Sequence, residues 1–126
     1  IDHAKQRYPT AGDYWREKDG TLHVVVSKMA DQRYELLVAI HELVEMSLVD
    51  QRGISNKAID EFDMGIGKDL AEPGDDPRAP YHAEHMVASE IERRMAAELG
   101  VDWDKYAKAI EALDPCRADH SSPTIG

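Results

Sequence analysis

Tyr34-Glu35-Leu36-Leu37-Val38-Ala39-Ile40-His41-Glu42-Leu43-Val44-Glu45-Met46-Ser47-Leu48-Val49 is the most apolar stretch of this chain, and His41, Glu42 and Glu45 lie inside it. The spacing predicts a long helix over about residues 32 to 50, with Asp31 as N-cap and Gly53 just past the end. At 3.6 residues per turn His41 and Glu45 project one above the other. Tyr34, Leu37, Val38, Val44 and Leu48 share that face, which makes it the core-facing stripe. A carboxylate is expensive to bury unless something pairs with it. A divalent metal is one such partner, and a His and a Glu one turn apart can grip it. A structural network, with His41 and Glu45 paired to each other or to a core Tyr or Arg, is the other.

Upstream of this helix, Tyr14-Trp15-Arg16-Glu17 and Thr21-Leu22-His23-Val24-Val25-Val26 flank Lys18-Asp19-Gly20, which predicts a β-hairpin. Residues 1 to 13 read as an irregular lead-in. Downstream, Ser55 caps a second helix with Ile59, Phe62, Ile66 and Leu70 on one side. Glu72-Pro73-Gly74-Asp75-Asp76-Pro77-Arg78-Ala79-Pro80 is an acidic loop. A third helix runs from about Tyr81 to Leu99 and stops at Gly100. Asp102 caps a fourth, with Trp103, Tyr106, Ala107, Ile110 and Leu113 at helical spacing. The fold class is therefore α+β and mostly α: an N-terminal hairpin, then about four helices around a long buried central one. Residues 1 to 114 form one domain, and 115 to 126 are expected to be a loose tail.

Composition narrows the function. The chain has 126 residues, 42% of them hydrophobic, which suits one soluble domain. Twenty-five acidic against 15 basic side chains give a net charge of -10. That surface repels nucleic acid and anionic lipid. The single Cys116 permits no intrachain disulfide and points to a reducing, cytoplasmic setting. No apolar run reaches the roughly 18 residues needed to span a membrane. There is no P-loop and no nucleophile elbow.

His41-Glu42-x-x-Glu45 differs by one letter from H-E-x-x-H, in which ligands at i and i+4 bind zinc and the intervening glutamate is the general base. Such a string arises by chance in roughly one chain of this size in twenty. Its setting adds weight, because a hairpin precedes it and apolar residues surround it. Residues 14 to 50 resemble the edge strand and active-site helix of zincin-like metallopeptidases. The whole chain also resembles small phage and prophage proteins, a likeness that carries no known activity. The zincin resemblance implies a zincin-like fold, zinc as cofactor, Glu42 as catalytic base, and hydrolysis of a peptide or amide. It departs from the family in offering Glu45 where a second His stands. A zincin ligand set of two His and one Glu then needs a His from elsewhere.

The third helix begins Tyr81-His82-Ala83-Glu84-His85. With Val87, Ala88, Ile91, Met95 and Leu99 as its apolar stripe, His85 and Glu92 border that stripe and His82 lies further toward solvent. His85 is thus the preferred third ligand, ahead of His82. Glu92 is either a fourth ligand or a group that orients His85. Asp60, Glu61 and Asp63 read as a solvated acidic face, and His3, His23 and His120 show no partner pattern.

These residues predict a metal-dependent hydrolase, with zinc or Fe2+ held by His41, Glu45 and His85, acting on an unidentified peptide or small molecule. Two rivals stand beside it. One is an all-α Mg2+-dependent nucleotide pyrophosphatase using Glu42, Glu45 and Glu90 or Glu92. The other is a non-enzymatic interaction module in which the His-Glu network only supports the core.

Overall fold

A computed structural model describes residues 1–70 and 72–114. Cys116, His120 and the expected tail lie outside the described residues. Within them the chain is α+β and mostly helical. Strands β1 (Gly12–Arg16) and β2 (Leu22–Val26) pair antiparallel, with Gly12 opposite Val26 and Trp15 opposite His23. Gly20 takes φ +91° in the connecting turn. The helices are α1 (Gln32–Gln51), α2 (Asn56–Met64), α3 (His82–Glu98) and α4 (Trp103–Glu111). Short 3-10 turns cover His3–Lys5, Ile66–Asp69 and Pro73–Asp75. Among the described residues no helix is long and apolar enough to cross a membrane.

The caps are those the sequence announces. Asp31, Ser55 and Asp102 accept from the backbone N–H of Arg33, Ala58 and Lys105. Gly53, at φ +72°, ends α1 in the left-handed region that favours glycine. The first strand begins earlier than its β-branched and aromatic residues suggest, because Ala11 and Ser27 extend the pairing by a backbone hydrogen bond. The lead-in is pinned rather than loose. The Ile1 nitrogen donates to the Val26 carbonyl, and His3 bridges Ser27 Oγ (2.8 Å) and Asp114 Oδ1 (2.7 Å). His3 therefore has partners that its local sequence does not reveal. His23 has one as well, stacking on Trp15 across the hairpin.

The α1–α3 pair is the centre of the molecule. Moving forward along α1 from His41 to Glu45, the contacts on α3 move back from Glu92 to His85, so the helices run antiparallel. Two apolar clusters flank this crossing. One gathers Tyr14, Met46, Val49, Ile59, Phe62, Ala79 and Tyr81. The other gathers Ala11, Leu37, Val38, Ala96, Val101 and Tyr106. Along both helices the polar residues lie between the two clusters, so the apolar packing closes around them.

Three expectations about faces are corrected. The stripe assigned to α3 is rotated: Val87 and Ile91 are 37% and 39% exposed, while Glu84, His85, Ala88, Glu92 and Ala96 are buried. Partnered polar groups occupy the inward face, and the apolar ones next to it are turned out. Ile66 is also exposed, because α2 ends at Gly65 before reaching it. Asp63 is not part of a solvated face. It is buried and accepts hydrogen bonds from Tyr8 (3.1 Å) and Tyr81 (2.5 Å). Burial pushes its carboxyl up to about 6.

Candidate metal centre

Three donor atoms converge where α1 crosses α3. His41 Nε2 is 2.9 Å from Glu45 Oε2 and 3.2 Å from His85 Nδ1, and His85 Nδ1 is 3.0 Å from Glu45 Oε2. All three residues are buried, and among the described residues they are the one group arranged to hold a metal ion. Helical spacing stacks His41 under Glu45. The antiparallel crossing brings His85 to them from the other side.

The other polar atom of each of these side chains is already engaged. His41 Nδ1 donates to Glu92 Oε1 at 2.7 Å, and Glu92 Oε2 accepts from the Tyr106 hydroxyl at 2.6 Å. His85 Nε2 donates to Asp75 Oδ1 at 3.1 Å. Glu45 Oε1 accepts from the Tyr14 hydroxyl at 2.8 Å. These partners decide the tautomers. A neutral His41 carrying its proton on Nδ1 presents a bare lone pair at Nε2. A neutral His85 carrying its proton on Nε2 presents one at Nδ1. With Glu45 Oε2, three lone pairs then face one another and no proton stands between them. Such a set requires a cation.

That cation is either protons or a metal ion. In the metal-free chain, protons take the place. Burial acts to lower the pKa of His41, but its hydrogen bonds to Glu45 and Glu92 outweigh this and raise it to about 11. Burial likewise opposes His85, while Glu72, Asp75 and Glu45 raise it to about 10. Burial alone would raise Glu45; the two imidazoles overcome it and hold the carboxyl down at about 2. A zinc-class ion suits the same atoms. Tetrahedral donors at metal distances of 2.0–2.1 Å lie roughly 3.3 Å apart, a few tenths of an ångström beyond the separations found here. Two nitrogens and one carboxylate oxygen are zinc or Fe2+ donors rather than Mg2+ donors.

Glu42 lies beside the donor set on α1 and is buried. No hydrogen bond to its side chain is found among the described residues. Burial, and then the Glu45 charge, push its carboxyl well above the usual range. Its close neighbour is the backbone of β1. A Cβ added at Gly12 would come within 2.7 Å of Glu42 Cγ and Oε1. Glycine thus lets the strand lie directly against the glutamate.

The remaining candidates fall elsewhere. His82 is not at the cluster: its Nδ1 donates to the Gly74 carbonyl at 2.8 Å, in the acidic loop. Glu92 is neither a converging donor nor the partner of His85, since its carboxylate orients His41. Glu90 is exposed. Tyr14, Asp75 and Tyr106 were not foreseen as site residues. The acidic loop feeding α3 was a cue for Asp75, whereas nothing local marks the two tyrosines. Glu72 also approaches, with Oε1 3.7 Å from His85 Nε2, and burial pushes its carboxyl up to about 8.

No family model, no curated protein and no solved structure matches this chain.

Proposed function

We propose that His41, Glu45 and His85 hold a single zinc-class ion and that the protein is a metal-dependent hydrolase of peptide or amide bonds. The observation that carries this reading is the convergence of three lone pairs whose opposite atoms are each locked by Glu92, Tyr14 and Asp75. A divalent ion supplies, when bound, Lewis acidity toward a carbonyl oxygen and a lowered pKa for water. The chain's own residues do the rest. Glu42 accepts the proton of the attacking water, a role suited to a carboxylate made more basic by burial. Glu92 and Asp75 accept from the far nitrogens of the two imidazoles, which orients the rings with His41 Nε2 and His85 Nδ1 facing inward. The Tyr14 hydroxyl orients Glu45.

The resemblance to zincins rests on His41-Glu42-x-x-Glu45 in a helix preceded by a β-hairpin. The sheet itself has two strands among the described residues. The pyrophosphatase alternative is disfavoured by the two nitrogens in the donor set and by Glu92, which is already taken up by His41 and Tyr106.

Elemental analysis of protein purified without a histidine tag, followed by zinc titration after chelation, tests the reading. The expected result is about one equivalent of zinc or iron, and rebinding of zinc at neutral pH. A chain that carries no transition metal and takes up none in titration refutes it and leaves the structural network as the account of His41 and Glu45. With zinc loaded, turnover of fluorogenic peptides by the wild type and not by Glu42→Gln supports the hydrolase; binding without turnover confines the role to holding the ion.

A further inference from the structure

Beyond the donor atoms, the 72–75 turn is fastened to the first turn of α3 at three adjacent points. Asp75 N–H donates to the Glu72 carbonyl, which closes the turn (3.1 Å). The Gly74 carbonyl accepts from His82 Nδ1 at 2.8 Å. A carbonyl only accepts, so His82 carries its proton on Nδ1. The next residue, Asp75, accepts from His85 Nε2 at 3.1 Å. Between these two bonds, the backbone of Gly74 lies on the His85 ring itself. A Cβ built there would stand 2.5 Å from both Cγ and Nδ1 of His85 and 2.9 Å from Cδ2. Nδ1 is the atom offered to the ion. The ring has little freedom to give way, because Glu45 and Asp75 hold it at opposite nitrogens.

We infer that His82 and Gly74 are positioning residues for the metal centre: His82 clamps the Pro73–Asp75 turn so that Gly74 covers the His85 ring and Asp75 fixes its Nε2–H tautomer. This rests on the metal reading above and adds to it a device made of chain-local residues, Gly74-Asp75 and His82-x-x-His85. His82 sits three residues before His85, so it shares the same side of the helix. It reaches the turn one residue ahead of the one that His85 reaches. The consequence is directional. Without the clamp, Asp75 loses its register on Nε2, and either nitrogen of His85 can carry the proton. The ring is then held with Nδ1 toward Glu45 and His41 only part of the time.

The test uses the full chain with Zn2+ as the probe and three variants. His82→Ala removes the donor. His82→Asn replaces it, since the Asn amide N–H occupies about the place of His Nδ1–H. Gly74→Ala inserts the clashing methyl. Loss of a partner that orients a metal-binding imidazole typically costs 10–100-fold in metal affinity. His82→Ala is expected to lose about tenfold in zinc affinity, and His82→Asn to recover most of it. Gly74→Ala is expected to lose about 100-fold, because it displaces the donor atom itself. Long-range 15N spectra at saturating zinc read the ligation of His85 directly: zinc on Nδ1 and a proton on Nε2 in wild type and His82→Asn, and a second His85 population without zinc on Nδ1 in His82→Ala. Thermal unfolding in chelator checks that each variant folds.

Amide exchange at Asp75 and Asp76 in chelator reads the clamp without any metal, and it should quicken in His82→Ala and slow again in His82→Asn. Equal zinc affinity in His82→Ala and wild type, or no recovery in His82→Asn, overturns the inference while the metal reading stands. If the wild type binds no zinc, the metal reading falls and the inference falls with it, whatever the amide exchange shows.

Discussion

Removing Glu92 should separate orientation of the site from its donor atoms. Glu92 is fully buried and accepts from two donors, His41 Nδ1–H and the Tyr106 hydroxyl. Glu92→Leu keeps the volume and removes both acceptors. Each orphaned buried donor costs about 1–3 kcal/mol, so the variant should lose about 2–6 kcal/mol against a typical domain stability of about 5–15 kcal/mol. Glu92→Gln is milder. Its amide oxygen still takes the His41 proton, and its NH2 still meets the Tyr106 oxygen, with the hydroxyl turned. What it loses is the charge that makes His41 a stronger donor to the ion. That should cost 10–100-fold in zinc affinity, or about 1.4–2.7 kcal/mol. Urea unfolding in excess chelator measures the first quantity, because bound zinc would otherwise add its own stabilisation. Competition with a chromogenic chelator measures the second. A Glu92→Leu midpoint equal to wild type, or a Glu92→Gln affinity equal to wild type, would show that Glu92 does not hold His41 and would refute the reasoning.

Three further expectations follow from the same geometry. His41→Ala and Glu45→Ala should abolish zinc binding in titration, whereas Glu42→Gln should keep zinc and lose any hydrolysis; release of zinc by Glu42→Gln with retention by Glu45→Gln would reverse the roles. In chelator, His41 and His85 have pKa values raised from 6.5 to about 11 and about 10, so their stabilisation is full below about pH 6.5 and is lost as pH rises through that higher range. Glu45 has the opposite sign, its contribution standing above about pH 4.5 and vanishing as pH falls toward 2. Unfolding midpoints at pH 7 and 10 check this, and zinc affinity over the same interval should rise at least tenfold per pH unit, because zinc displaces at least one imidazole proton. Finally, Gly12→Ala should keep zinc and impair turnover, since its methyl would stand 2.6 Å from Val38 Cγ1 and 2.7 Å from Cγ and Oε1 of Glu42; unaltered turnover would show that the strand does not set the position of Glu42.

The sequence by itself determined much of this protein. Helix α1 was legible because a long apolar run with no internal Gly or Pro lies between Asp31 and Gly53, which mark its ends. The hairpin was legible from β-branched and aromatic residues around Asp19-Gly20. The pairing of His41 with Glu45 was legible too, since one helical turn is a local relation that any α-helix imposes. Three things belonged to the tertiary structure. Which side of α3 faces inward was decided by partners: Glu92 and His85 are buried because Tyr106, His41, Asp75 and Glu45 satisfy them, and Val87 and Ile91 give way. The hydroxyls of Tyr14 and Tyr106 reach the site from elements 31 and 14 residues away from their partners, with no local trace. Gly12 and Gly74 read as ordinary loop glycines until another element lies against them. Local periodicity reports the turns of one helix. Burial of a charge is decided by what the rest of the chain brings to meet it.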